Sequence, residues 1–342
     1  VADLILQGVD KRYADAKAVD GLDLTIPAGA FVALLGPSGC GKTTTLRMLA
    51  GFESVDAGQI TLGTRVLSSP DTFVPPEHRG MGMVFQSYAL WPHMSVAQNV
   101  GYALKLRGVR AAEYERRVRD ALESVHLGAY ADAAPADLSG GQRQRVALAR
   151  CLASEAEVVL LDEPLANLDR HLRASMEQAF RELHRRTGAT FVYVTHDQAE
   201  AMALADHVAV MHQGRLVQWA TPEELYQRPR TDWLAAFIGK GRVLEVVGQP
   251  LGHIDGQALM DGLECTEGRR APVLVRPQHV RLGEGGVAGE VLDCVFRGEH
   301  YEVLIGLRDR QQLLAHHACP AVIGQRVTAH ISQGWGLQRA SG

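Results

Sequence analysis

FVALLGPSGCGKTTTLRMLA, residues 31–50, decides the fold. Phe31–Leu35 is a continuous apolar run, the pattern of a strand buried on both faces. Gly36-Pro37-Ser38-Gly39-Cys40-Gly41-Lys42-Thr43 then fits G-x-x-x-x-G-K-[ST] without departure, and Thr44–Ala50 reads as a helix ended by Gly51. In this strand–loop–helix setting successive backbone N–H groups converge on phosphate oxygens, and the helix N-terminus adds a favourable dipole. Lys42 supplies a point charge for β- and γ-phosphates, and Thr43 a hydroxyl for Mg²⁺. A glycine-rich turn in an unrelated enzyme is the alternative, and the flanking elements argue against it.

Working outward, Val158-Val159-Leu160-Leu161 is a second buried apolar run, and it ends in Asp162-Glu163. A carboxylate there is a hard oxygen ligand, so Asp162 would hold Mg²⁺ through its water shell. Glu163 is placed one residue further on, where it could polarise an attacking water. Phe191–Thr195 is a third strand, and a helix over roughly 171–186 separates it from the second. Strands joined by a crossover helix predict a parallel sheet in an α/β core. Short strands at Leu4-Ile5-Leu6 and Leu22–Ile26 precede the loop. Val96–Leu106 and Ala111–Val125 have helical spacing, which predicts a helical subdomain over about 88–137 inserted in the core.

Composition narrows the class. With 342 residues, 46% apolar, 22% charged and a formal net charge of −4, the chain has room for one large and one smaller domain and is not strongly basic. That balance gives no support for nucleic-acid binding. Lys105, Arg107, Arg110, Arg116, Arg117 and Arg119 form a local basic cluster, but Glu113 and Glu115 interrupt it and no aromatic platform accompanies it. Cys40, Cys151, Cys265, Cys294 and Cys319 contain no CxxC pair, which predicts a reducing compartment and no disulfide framework. The first residues lack the pattern of a signal peptide, and no run approaches the ~20 apolar residues of a membrane span.

Leu138-Ser139-Gly140-Gly141-Gln142, read with the phosphate loop and the paired acids, closely resembles the nucleotide-binding subunits of ATP-binding cassette transporters. The resemblance covers nearly the whole chain, with several separate motifs in the family's order. It implies a P-loop NTPase with a RecA-like core and a helical subdomain, acting on ATP with Mg²⁺. The nucleotide would touch Gly36, Pro37, Ser38, Gly39, Cys40, Gly41, Lys42, Thr43 and Thr44, with Tyr13 stacked on adenine. Gln86 would reach Mg²⁺ beside Thr43 and Asp162 and sense a neighbouring membrane protein. Glu163 and His196, assisted by Lys42 and Gln86, would carry the catalysis. Ser139, Gly140, Gly141 and Gln142 open a helix and would face the γ-phosphate held by a second copy, with Asp169 linking the two sites. Ala166 departs from the serine common in the family.

Beyond residue 238 the texture becomes glycine-rich with period-two alternation, as in Tyr301, Val303, Ile305 and Leu307. A small β-barrel or sandwich is expected over 239–342, after a nucleotide-binding domain over 1–238. Arg276-Pro277-Gln278-His279-Val280 resembles the R-P-x-x-V segment of the OB-like TOBE domain, with Gln278 where Glu is usual. The resemblance implies a homodimer on the cytoplasmic face of the inner membrane. Its partners would be two integral permease subunits and, through them, a solute-binding protein. Tyr88–Met94, apolar and aromatic directly after Gln86, is the candidate permease-docking segment, with core packing as the alternative. Ferric iron is the expected cargo, with polyamine, sulfate, phosphonate or sugar as alternatives. An ATP-binding cassette protein without a membrane partner is the rival class, disfavoured by the single cassette and the missing Cys cluster. A regulatory role for the tail in binding another protein would be additional to either.

Overall fold

The computed structural model describes residues 2–14, 16–166, 170–248 and 251–338. The chain divides into two compact units, 1–222 and 223–342.

The first unit is built on a six-stranded sheet of β3 (Phe31–Leu35), β7 (Met81–Val84), β8 (Val158–Asp162), β9 (Thr190–Thr195), β10 (His207–His212) and β11 (Arg215–Ala220), in the order β11-β10-β3-β9-β8-β7. All neighbours are parallel except β10–β11. Alternate residues of the central strands enter two different cores: Val32, Leu34, Val158, Leu160, Val192 and Val194 on one face, and Phe31, Val159, Leu161, Phe191 and Tyr193 on the other. The apolar runs are therefore continuous because both faces are covered. Each such side chain contributes about 1.5–3 kcal/mol by leaving water.

One face receives α1 (Lys42–Ala50) and an antiparallel sheet ordered β2-β1-β4-β5-β6. Its strands are β1 (Leu4–Tyr13), β2 (Ala16–Ile26), β4 (Ala57–Leu62), β5 (Arg65–Ser69) and β6 (Thr72–Phe73). The other face receives residues of α4 (Gly140–Ala153), α5 (Arg170–Thr187) and α6 (Gln198–Leu204). The two predicted helices form as α2 (Val96–Leu106) and α3 (Ala111–Ser124), and they bury their apolar stripes against α4. Their basic cluster is a paired, solvated face: Arg116 bridges Glu113 and Asp120, and Arg117 donates to the Ala153 carbonyl beside Glu155.

The second unit holds α7 (Pro222–Gln227), whose first residue closes the first unit, and α8 (Asp232–Phe237). Two four-stranded sheets follow, ordered β12-β14-β19-β13 and β17-β16-β15-β18. The strands are β12 (Arg242–Val247), β13 (Gly252–Asp255), β14 (Arg270–Val275), β15 (Val280–Phe296), β16 (Tyr301–Gly306), β17 (Gln312–His317), β18 (Arg326–Ile331) and β19 (Gln333–Gly336). They share one core, to which α9 (Gly256–Glu264) adds Leu259 and Met260. Sequence texture missed α9, and it placed the division at 238 rather than 222. Arg276 of the R-P-x-x-V segment explains the shift. Its guanidinium donates to the carbonyls of Tyr226 and Ile238 at 2.6 Å each and lies 4.1 Å from the Tyr226 ring, tying 223–238 to the β-sheets.

Arg79 is the largest fully buried side chain of the chain's described residues and has no acidic partner. It donates to the carbonyls of Met48 (2.6 Å), Leu49 (2.9 Å), Leu67 (3.1 Å) and Val74 (2.7 Å). Two of these are the unsatisfied last carbonyls of α1, where a cation is also favoured by the helix dipole. Burial pushes the guanidinium down to about 10. We expect Arg79→Met to destabilise the first unit by roughly 3 kcal/mol, because buried carbonyls lose a charged donor, and Arg79→Lys to rescue little because an ammonium cannot span the fork. Urea unfolding followed by near-UV circular dichroism measures both.

Candidate functional site

The three strands that carry the predicted chemistry are neighbours, and their C-terminal ends coincide. Leu35 is paired with Thr195, and Asp162 with Val194. Gly36, Glu163 and His196 follow directly, so phosphate loop, acids and histidine emerge at one edge of the sheet, where ligands of open parallel sheets bind.

The loop is shaped by steric necessity. A Cβ on Gly36 would lie 2.2 Å from the Met211 carbonyl oxygen, and one on Gly41, whose φ is 101°, would lie 2.4 Å from the Ala18 carbonyl oxygen. Lys42 is buried and its ammonium donates to the carbonyls of Gly36 (2.8 Å) and Pro37 (2.9 Å), which braces the loop across its own mouth. Ser38 and Gly39 are exposed, so the N–H side of the loop is open. The helix α1 starts at Lys42, two residues earlier than its apolar pattern suggested, which brings the dipole up to the loop. Burial pushes the Cys40 thiol up, against the pull of Lys42, so it is a packing group rather than a nucleophile.

Thr43 Oγ1 lies 3.4 Å from Asp162 Oδ1. Burial first, and then the Glu163 charge, push the Asp162 carboxyl above the usual carboxylate range. A half-buried carboxylate, a hydroxyl and an adjacent acid with surplus negative charge are the donor set of a hard divalent cation. Glu163 sits at φ 42°, a left-handed conformation that costs a non-glycine residue energy and recurs where a side chain must be aimed. Its Oε2 is 3.2 Å from His196 Nδ1.

The residues on either side of the histidine are held by a network that sequence reading missed. Glu200, buried at the start of α6, accepts from Tyr193 Oη and Thr195 Oγ1 at 2.7 Å each. Thr195 Oγ1 in turn accepts from the Asp197 N–H at 2.9 Å, and Arg173 bridges Asp197 (3.0 Å) and Glu200 (3.7 Å). Asp197 caps α6. The D-x-x-E spacing signals a capping box, but Glu200 turns inward to the strand, which only the packing reveals.

Other predicted residues make none of these hydrogen bonds, and of them Gln86, two residues beyond Val84, which pairs with Leu161, emerges at the same sheet edge. Tyr13 ends β1 with its ring 43% exposed and the Lys11 ammonium 5.6 Å from the centroid, leaving a face for a base. Gln86 is exposed in the loop after β7. Ser139 and Gln142 close on each other: Ser139 Oγ accepts from the Gln142 N–H and Gln142 Oε1 from the Ser139 N–H. The Gln142 side chain thus serves as a helix cap in the single chain. Gly140 and Gly141, the first two residues of α4, remain with N–H groups that need an acceptor from outside the helix. Among the described residues no hydrogen bond joins Ser139–Gly141 to the phosphate loop. Asp169 lies outside the described residues.

Within the docking candidate, Trp91 is a packing residue. Its ring is 4.2 Å from Tyr102 and 5.3 Å from the Arg150 guanidinium, which also donates to the carbonyls of Tyr88 and Ala89. Buried Asn99 fixes the segment by exchanging hydrogen bonds with Trp91 and donating to Met94 and Ser95. Ala89, Pro92 and His93 are left exposed.

Residues 19–166 match the family described as ABC transporter, and residues 273–336 match the TOBE domain. The chain is 42% identical over 328 residues to the spermidine/putrescine import ATP-binding protein PotA of Nitratidesulfovibrio vulgaris, covering 91% of this chain and 88% of that one. It is 43% identical over 313 residues to the Fe(3+) ions import ATP-binding protein FbpC of Pasteurella multocida, covering 88% and 87%. It is 50% identical over 239 residues to the sn-glycerol-3-phosphate import ATP-binding protein UgpC 1 of Rhizobium johnstonii, covering 70% and 64%. The first unit resembles the dimeric ATP-binding cassette MJ0796 in a post-hydrolysis state with ADP and Pi, with a TM-score of 0.57 and 28% identity over 64% of this chain and 98% of that one. A phosphate loop, two acids and a histidine at one sheet edge agree with these matches, and the chain belongs to the ABC transporter family as an ATP-hydrolysing import subunit that also carries a TOBE domain.

Proposed function

We propose that two copies of the chain close around two ATP molecules, that hydrolysis reopens them, and that this cycle drives solute import through membrane permease subunits. The observation that carries the reading is the convergence of the phosphate loop, Asp162-Glu163 and His196 on one sheet edge, with Glu163 3.2 Å from His196. In this scheme the loop N–H groups and Lys42 bind the phosphates, and Tyr13 stacks on the base. Thr43, Asp162 and Gln86 hold Mg²⁺, which supplies charge neutralisation at the phosphates when bound. Glu163 takes the proton of the attacking water, and His196 orients that carboxylate and approaches the γ-phosphate. The N–H groups of Gly140 and Gly141 on one copy meet the γ-phosphate on the other, with Asp169 at the seam. A dimeric relative bound to ADP and Pi supports the pairing.

Among the described residues no helix is long and apolar enough to cross a membrane. The import names of the relatives support a position at the cytoplasmic face, against two permease subunits and, through them, a solute-binding protein. For cargo we propose a cation. Relatives similar through both units are named for Fe(3+) and for spermidine/putrescine, whereas the one named for an anion covers 70% of this chain. Ferric iron is the reading taken from the tail, and polyamine the second, favoured by the relative that covers 91% of the chain. Uptake of each by a deletion strain, with and without the gene restored, separates them.

Glu163→Gln should lower steady-state ATP hydrolysis by about 10²–10⁴, the usual worth of a general base, while equilibrium nucleotide binding persists. Turnover near wild type would place the base elsewhere. Glu200→Ala should cut kcat by roughly 10² through misplacement of His196, with KM for ATP little changed and partial rescue in Glu200→Gln. A parallel rise in KM would mean that Glu200 supports nucleotide binding instead. His93→Glu, at an exposed position of the segment after Gln86, should abolish co-purification with the permease and leave the ATPase of the isolated subunit intact. Undiminished co-purification would remove this segment from the interface.

A further inference from the structure

The second unit carries a side-chain cluster that the ATP chemistry does not use. His300 precedes β16, Glu302 is the second residue of that strand, and Glu302 is paired directly with His316 of β17. The strand pairing sets Glu302 and His316 side by side, and the turn before β16 brings His300 to them. One ligand atom from each of the three lies within 4.8 Å of the others. The two imidazole rings are 3.9 Å apart between centroids. The Nε2 atoms of both His300 and His316 are buried, and neither has a hydrogen-bond partner. Two buried, unsatisfied nitrogens at one spot call for an explanation.

The donor set supplies one. Two imidazole nitrogens with one carboxylate oxygen suit borderline divalent ions of the first transition row, and they are too nitrogen-rich for calcium or magnesium. No hydrogen bond claims either imidazole Nε2. Two cations compete for the acid instead: Lys240 pairs with Glu302 Oε1, and Arg297 Nε with Oε2 at 2.8 Å. Both are more than half exposed, at 59% and 51%, and can turn to water, whereas His316 is held in β17 and His300 directly precedes β16. A carboxylate also keeps further lone pairs when so paired.

We propose that His300, Glu302 and His316 form a binding site for a divalent transition-metal ion of the zinc class in the second unit. Titration of the chelator-stripped full-length chain with Zn²⁺ should show a single strong site. His300→Ala and His316→Ala should each weaken it by more than about tenfold, since even outer-shell losses cost that much. His300→Gln serves in place of the alanine variant if the latter does not fold, as judged by its melting temperature. Lys240→Gln should tighten binding by roughly twofold to fivefold, the worth of an exposed ion pair, a gain that a purely structural cluster would not give. Co²⁺ should bind without a thiolate charge-transfer band, and Cys265→Ser and Cys319→Ser should bind Zn²⁺ as wild type does. Absence of a strong site in the wild type, undiminished binding in both histidine variants, or loss in the cysteine variants would overturn the assignment.

Discussion

Burial of the parallel sheet on both faces is the constraint on which the rest of the first unit depends. With α1 and the antiparallel sheet on one side and α4, α5 and α6 on the other, β3, β8 and β9 offer no face to water. Polar groups can leave such a sheet only at the strand ends, and parallel strands in register end together. Leu35, Asp162 and Thr195 are therefore not independent endpoints. Their shared register is what puts a phosphate loop, two acids and a histidine within reach of one substrate.

Two secondary devices keep that edge in place. Arg79 satisfies the C-terminal carbonyls of α1, the helix whose N-terminus forms the phosphate loop, so both ends of one short helix are set by charge. Glu200 locks Tyr193 and Thr195 of β9, and hence the step from strand to His196. A nucleophile-activating carboxylate must be aimed as well as charged. Glu163, the proposed base, has a left-handed backbone that the Val194 carbonyl secures through the Glu163 N–H at 3.1 Å.

The site's chemistry was legible because it is local. A phosphate loop needs glycines at positions where any Cβ would strike backbone, and such a requirement leaves its mark in consecutive residues. Helices α2 and α3 were legible for the same reason, since their apolar stripes recur within one element. What could not be read was long-range. Nothing near Arg79 in the sequence names Met48 or Leu49 as its acceptors. Glu200 follows a capping pattern whose side chain is then diverted to a neighbouring strand. Trp91 has the composition of a docking surface, but the ring is spent on Tyr102 and Arg150. The boundary after residue 222 depends on Arg276 reaching back to Tyr226 and Ile238, and texture changes sixteen residues later, at the first glycines after residue 238.

The capping box at Ser139 and Gln142 bears on why the cassette is proposed to act as a pair. An α-helix begins with N–H groups that its own backbone cannot satisfy. In α4 the Ser139 hydroxyl takes the Gln142 N–H, and the Gln142 amide takes the Ser139 N–H, which leaves Gly140 and Gly141 between them. Gly141 is buried and a Cβ there would lie 2.6 Å from Leu172, so its glycine serves the packing of α4, while half-buried Gly140 opens the helix without a side chain. A helix that needed only stability would cover this end. One whose cap leaves two N–H groups without a helical acceptor needs an acceptor from elsewhere, and no hydrogen bond joins it to the chain's own phosphate loop among the described residues. A second copy presenting bound ATP meets that requirement with the same two surfaces used twice, which is the self-complementary arrangement a two-fold dimer imposes.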